Sequence, residues 1–314
     1  MIEPRIVFMG TPDFAVGILK EIVAHNFKVV GVITAPDRKA GRGLKLNESA
    51  VKKYAQTLDI PILQPTNLKA PDFLAELASL QANVQVVVAF RMLPKVVWKM
   101  PSLGTFNLHA SLLPAYRGAA PINWALINGE KETGVTTFFI DEKIDTGAII
   151  LQKKTPIGSE DNAASLHDTL MNLGAEAVIE TLNLIASENV VTKPQPTLAP
   201  KEAPKLFTHN CQIDWTASLD EVYNFIRGLD PYPGAWTTLH NGDDQVKVKI
   251  YAVKRVEENH SMVPGQLCVD KRSLRVAVKN GSIEIVTMQL AGKRKMNMTD
   301  LLNGYSFEPE AKFA

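Results

Sequence analysis

Arg5-Ile6-Val7-Phe8-Met9-Gly10-Thr11-Pro12-Asp13 is the stretch whose reading decides the fold class. Its first part is a β-branched and aromatic run closed by a glycine, the pattern of a buried strand entering a turn. Thr11-Pro12-Asp13 supplies helix-start chemistry, and Phe14, Ile18 and Ile22 then recur at helical spacing before His25. Phe27 to Thr34 reads as a second strand. Strand, helix and strand within about thirty residues make a parallel βαβ unit with a right-handed crossover.

Downstream the alternation continues. Helices are expected over 49–58 and 70–80, with a short strand at Pro61-Ile62-Leu63 between them. Val84 to Phe90 is the clearest buried strand, and Gly104 to His109 forms another before a Pro/Gly loop and a helix over 121–127. Residues 134–140 are β-rich and 162–185 form a long amphipathic helical region. This order predicts an α/β fold with an open, mostly parallel Rossmann-like sheet.

The pattern changes near residue 190. Two proline-rich runs, Thr192 to Pro196 and Ala199 to Pro204, read as a semi-rigid linker. Beyond it come one helix over 219–228 and short strand candidates at 235–239, 246–253, 274–278 and 282–288. Short strands with turn signals predict a small C-terminal β-barrel of OB-like type. The expected division is 1–189, a linker over 190–207, and 208–314.

Composition excludes several classes. The 314 residues carry 34 basic and 33 acidic side chains, so any nucleic-acid contact must come from a local patch. Two cysteines, Cys211 and Cys268, make no disulfide framework. The N-terminus lacks a basic region followed by an apolar run, and no apolar stretch approaches the length of a membrane span. A cytoplasmic location is expected. The remaining histidines (His25, His167, His209, His240 and His260) show no metal-ligand spacing, so no metal is expected.

Gly10-Thr11-Pro12-Asp13-Phe14-Ala15 lacks the later glycines of a dinucleotide fingerprint, which argues against a nicotinamide-dependent dehydrogenase. The polar residues further on are more informative. Asn107-Leu108-His109 has period-two spacing, so both polar side chains share one face at the end of a strand. Ligands of open α/β sheets bind beyond such carboxyl ends. Taken alone, the pair is better read as two polar groups satisfied at a loop entrance. Asp145, before Thr146-Gly147, could likewise only cap a turn.

Together these segments are recognisable. Asn107-Leu108-His109-Ala110-Ser111-Leu112-Leu113-Pro114, then Tyr116-Arg117-Gly118-Ala119-Ala120-Pro121-Ile122, resembles the active-site segment of folate-dependent formyltransferases. Gly134 to Gly147 is similar to their second signature. Gly10-Thr11-Pro12-Asp13-Phe14 and Ala35 to Gly43 narrow the resemblance to members acting on methionyl-tRNA, over essentially the whole chain.

The resemblance implies transfer of the formyl group of 10-formyltetrahydrofolate to the α-amine of methionine on initiator methionyl-tRNA. Amine attack on a formyl carbon generates an oxyanion, which the Asn107 amide and a protonated His109 could stabilise. His109 also suits the acid–base work and Asp145 its orientation. By the same resemblance Ser111, Leu112, Leu113 and Pro114 form a folate-binding loop. Phe90, Arg91 and Met92 would line the same pocket, although Phe90-Arg91 departs from the Tyr-Gly form commoner in the family.

Arg38, Lys39, Arg42 and Lys45 fall in a glycine-broken loop matching one that enters the tRNA acceptor stem. Leu44 stands there where a second basic residue is common. A second basic region spans Gln245 to Lys295, with eleven Lys/Arg against four Asp/Glu. Lys247 and Lys249 in it are candidates for RNA backbone contacts, against the alternative of an ordinary solvated barrel face. A monomer is expected, with no protein partner. The rivals are a formyltransferase of a small amine, such as a nucleotide-linked sugar or glycinamide ribonucleotide, and a non-catalytic RNA-binding protein on the same scaffold.

Overall fold

The computed structural model describes residues 2–40, 45–196 and 201–314, in two compact units. The first comprises Met1–Gly118, Thr133–Thr155 and His167–Glu202; the second comprises Ala119–Glu132, Pro156–Leu166 and Ala203–Ala314.

The first unit is built on a seven-stranded sheet. In spatial order its strands are Ile149–Pro156, Glu132–Phe139, Thr105–His109, Val84–Val88, Arg5–Gly10, Lys28–Ile33 and Ile62–Leu63. The pairings from Thr105–His109 outward through Val84–Val88, Arg5–Gly10 and Lys28–Ile33 to Ile62–Leu63 are parallel. Glu132–Phe139 runs antiparallel to Thr105–His109, placing Thr136 opposite His109 and Phe138 opposite Asn107. The sheet is therefore mixed but mostly parallel, and Val84–Val88 is buried throughout, as a continuous apolar run in such a sheet requires.

Local chemistry fixes the turns. Gly10 lets the chain turn sharply into the helix Asp13–Ala24, because a Cβ there would lie 2.6 Å from Ala15 Cβ. Ser49 caps the helix Ala50–Gln56 by accepting from the Lys52 N–H, a contact worth about 1 kcal/mol. The proline-rich stretch after residue 190 begins as an extension of the sheet. Lys193 exchanges both backbone hydrogen bonds with Ile149, at 2.8 and 2.9 Å.

The second unit gathers two antiparallel sheets over one apolar core. The five-stranded sheet has the order Met296–Asn297, Thr287–Leu290, Asp244–Ile250, Ala235–Asn241 and Lys312–Phe313. The four-stranded sheet runs Val253–Val256, Gly281–Ile285, Leu274–Val278 and Leu267–Val269. Trp215, Leu229, Val248, Ile283 and Phe313 are among the buried residues that fill the space between. This is the small all-antiparallel domain that the strand spacing predicts.

The unit also draws on segments distant in sequence. The helix Pro121–Ile127 packs on the helix Leu219–Leu229, and Asn123 donates to the Gly228 carbonyl at 2.7 Å. Arg227 donates to the carbonyls of Gly158 and Asp161 at 3.0 and 2.8 Å. Burial holds the Arg227 guanidinium below its ordinary pKa. Among the described residues, no helix is long and apolar enough to cross a membrane.

Candidate active site

The strand Thr105–His109 ends where the sheet gives way to a loop, and its last polar residues lie on one face. His109 is 6% exposed, and its Nε2 lies 2.8 Å from the Tyr116 carbonyl oxygen. A carbonyl can only accept, so Nε2 must carry the proton. In the neutral ring this leaves Nδ1 as an acceptor. Tyr116 is held in the left-handed region, at φ +60°, to present that carbonyl.

Facing Nδ1 is the carboxylate of Asp145, with Oδ2 at 3.8 Å. Asp145 itself has φ +54°, a conformation that aspartate tolerates better than most residues. Its loop is built locally. Asp141 accepts from the Lys143 N–H and from the Thr146 hydroxyl, closing an Asx turn. Gly147 then passes so close to the preceding strand that a Cβ would lie 1.7 Å from the Phe139 carbonyl oxygen. Oδ2 of Asp145 accepts the Gly118 N–H at 3.0 Å. The chain following His109 therefore turns back to hold both halves of the pair: Tyr116 the ring, Gly118 the carboxylate.

Asn107 lies two residues before His109 on the same strand face and is half-buried. Its carboxamide has no hydrogen-bond partner among the described residues. The site thus presents an amide donor, an imidazole acceptor and a carboxylate. The 3.8 Å gap separates two acceptors when the ring is neutral. An N–H-bearing ligand, such as an amine, answers that arrangement.

The loop after His109 is rigid. The Thr136 hydroxyl donates to the Ser111 carbonyl at 2.6 Å and accepts the Leu113 N–H at 3.1 Å. Gln152 donates to the Leu113 carbonyl at 2.9 Å, and the Ser111 hydroxyl to the Ala115 carbonyl at 2.6 Å. Ser111 and Leu113 are buried, while Leu112 and Pro114 are half-buried. The hydroxyl of Ser111 is therefore committed to the loop's own shape.

Phe90 is half-buried after Ala89, which adopts φ +47° at the strand end. Arg91 donates to the carbonyls of Pro65 and Thr66, so its side chain ties two loops together. Burial, and then the nearby Arg38, lower its pKa from the ordinary arginine value. Met92 is 65% exposed.

Arg38 is exposed and opens a short antiparallel ribbon, Arg38–Ala40 with Lys45–Asn47. Asp37 anchors the base of this ribbon by accepting from Lys52 and from Gln64. The Lys52 ammonium is the main cause holding the Asp37 carboxyl below its usual range. Lys39 and Lys45 belong to the ribbon by their backbone, whereas Arg42 lies outside the described residues.

In the second unit Lys247 and Lys249 lie on one face of the strand Asp244–Ile250. The Lys247 ammonium sits 3.6 Å from the centroid of the Trp236 ring, and Lys249 donates to the Pro233 carbonyl at 2.7 Å. No group of three or more His, Cys, Asp or Glu side chains able to hold a metal occurs among the described residues.

Four contributors escape a reading of the sequence alone. Thr136 and Gln152 act on the loop from neighbouring strands, and the Tyr116 carbonyl is a backbone group. Gln195, in the proline-rich stretch, donates to the carbonyls of Asp145 and Gly147, both at 2.9 Å. Thr136 had a weak signal, as a polar residue inside an apolar strand. Gln195 had none.

Comparison with known proteins shows the family. Residues 4–182 match the family described as formyl transferase, and residues 205–306 match its C-terminal domain. The methionyl-tRNA formyltransferase of Flavobacterium johnsoniae is 58% identical over 309 residues, covering 98% of each chain. That of Bacteroides fragilis is 50% identical over 307 residues, covering 96% of this chain and 95% of its own.

Among solved structures, HypX from Aquifex aeolicus in complex with tetrahydrofolic acid has a TM-score of 0.65 at 19% identity, covering 96% of this chain and 47% of that one. The N-formyltransferase from Helicobacter canadensis, in complex with folinic acid and dTDP-3-aminofucose, also has a TM-score of 0.65. It is 20% identical and covers 94% of this chain and 100% of that one. Both likenesses establish the fold.

Proposed function

The chain belongs to the formyl transferase family, and on that premise we propose that it carries the formyl group of 10-formyltetrahydrofolate onto the α-amine of methionine on initiator methionyl-tRNA. The observation that carries the chemistry is the placement of the His109 ring, with Nε2 2.8 Å from the Tyr116 carbonyl oxygen and Nδ1 facing the Asp145 carboxylate across 3.8 Å. The choice of acceptor rests on relatives that are alike over nearly the full chain, including the C-terminal domain.

The attacking amine is placed against Nδ1. As its nitrogen bonds to the formyl carbon, the carbonyl oxygen gains negative charge and the Asn107 N–H donates to it. The amine proton passes to Nδ1, and the Asp145 carboxylate stabilises the imidazolium so formed. Collapse of the tetrahedral intermediate breaks the bond from the formyl carbon to the folate nitrogen. The imidazolium returns its proton to that nitrogen. No covalent enzyme intermediate and no redox change occurs.

Ser111, Leu112, Leu113 and Pro114 form the wall against which a flat pterin rests, with Phe90, Arg91 and Met92 completing the pocket. Arg38, Lys39, Arg42 and Lys45 contact the acceptor stem, and Lys247 and Lys249 contact RNA phosphates. Such contacts are collective and sensitive to salt. The reaction takes place in the cytoplasm, where translation starts, and the working form is a monomer.

The purified protein mixed with methionyl-tRNA and 10-formyltetrahydrofolate should yield N-formylmethionine on the tRNA. Formylation of an amino sugar nucleotide or of glycinamide ribonucleotide, with methionyl-tRNA left untouched, would overturn the acceptor assignment.

A further inference from the structure

We infer that Gln195 is a positioning residue for the reaction: from the proline-rich stretch it locks the Asp145 turn against the loop that follows His109. The inference rests on the catalytic reading of His109 and Asp145 given above.

The side chain is used at both ends. Its Nε2 donates to the Asp145 carbonyl and to the Gly147 carbonyl, at 2.9 Å each. Its Oε1 accepts from Arg117, at 3.2 Å from Nε and 2.5 Å from Nη2. Arg117 directly precedes Gly118, whose N–H holds the Asp145 carboxylate. One carboxamide therefore grips the backbone of the turn that carries the acid and the side chain next to the donor that orients the acid.

The backbone explains why such a clamp matters. Asp145 sits at φ +54°, where most residues are disfavoured, and Gly147 approaches the Phe139 carbonyl too closely for any side chain. A turn of this kind holds its shape only when its surroundings over-determine it. The two carbonyls that Gln195 satisfies flank Thr146, at the point where the chain leaves Asp145. Gln195 is itself held in place, because Lys193 two residues earlier pairs with Ile149 through both backbone bonds.

Glutamine suits both ends because it combines donor and acceptor. A glutamate would keep the Arg117 contact and strengthen it, yet it has no N–H for the carbonyls of Asp145 and Gly147. This separates two roles. If the residue merely tethers the chain to Arg117, Gln195→Glu restores function. If it positions Asp145, Gln195→Glu is as slow as Gln195→Ala.

The test is single-turnover formyl transfer with saturating methionyl-tRNA and 10-formyltetrahydrofolate, with KM measured for both substrates. Both variants should slow the transfer rate about tenfold and leave each KM within about twofold, since an acid misplaced by a fraction of an ångström affects chemistry more than binding. In an Asp145→Asn background, Gln195→Ala should add less than about a further twofold, because residues acting through one another are not additive. A wild-type rate in Gln195→Glu, or a full tenfold loss added to that of Asp145→Asn, would overturn the proposal. A wild-type rate in Asp145→Asn alone would instead overturn the catalytic reading on which it rests.

Discussion

His109 and the pair Lys247/Lys249 are both polar features that the proposed reaction uses, and they are built differently. His109 is 6% exposed, with a carbonyl fixing one ring nitrogen and a carboxylate facing the other. Lys247 is exposed, its ammonium resting on the Trp236 ring, and Lys249 is half-buried with a bond to one carbonyl. Chemistry at one atom needs a proton placed on one nitrogen in one direction. Attraction to a phosphate backbone needs only charge at roughly the right place, summed over several side chains. The first region should therefore fail completely when one residue is changed, and the second only by degrees.

The sharpest way to test this contrast is His109→Ala. It should lower kcat by about 10³-fold to 10⁴-fold while tRNA affinity in a filter-binding assay changes less than about twofold. A comparable loss of affinity would erase the distinction between the two regions. Asn107→Ala should come next, with kcat down by about 10²-fold to 10³-fold and little change in KM. A change confined to KM would mean that Asn107 binds substrate and does not stabilise the oxyanion.

Gly147→Ala is expected to act through shape alone. Its Cβ would overlap the Phe139 carbonyl at 1.7 Å, forcing the Asp145 turn to move. A loss of about 2 kcal/mol in urea unfolding and roughly a tenfold fall in kcat are expected. An unchanged kcat would separate the turn from the chemistry. Lys247→Ala with Lys249→Ala should have the smallest effect: a few-fold rise in KM for tRNA, an unchanged kcat, and a salt dependence flatter by about one unit of slope per lysine. An unchanged slope would remove these lysines from the interface.

The same contrast governs what the sequence discloses. Arg5 to Asp13 announces the parallel sheet because strand and helix periodicities are local, and the first turn needs Gly10 for steric reasons. Asn107, His109 and Asp145 are legible because their residue types suit the proposed chemistry and they sit in a recognisable run. The antiparallel pairing of Glu132–Phe139 with Thr105–His109 is not legible, since its β pattern is the same in either direction.

Nor does the sequence disclose that the helix Pro121–Ile127 and residues 156–166 join the C-terminal unit. That depends on contacts such as Asn123 with Gly228 and Arg227 with Gly158, more than 60 positions apart. The Tyr116 carbonyl stays hidden for another reason: every residue has one, and only its direction makes it useful.

In the proposed reaction His109 holds its proton on Nε2 and offers Nδ1 to the amine. Nitrogen-15 NMR of the histidine-labelled protein, with the ring assigned by its loss in His109→Ala, tests this directly. The neutral ring should show a protonated Nε2 coupled to its attached hydrogen and a bare Nδ1. A neutral ring carrying its proton on Nδ1 would overturn the proposed role of His109, because the nitrogen facing Asp145 could then accept nothing from the substrate.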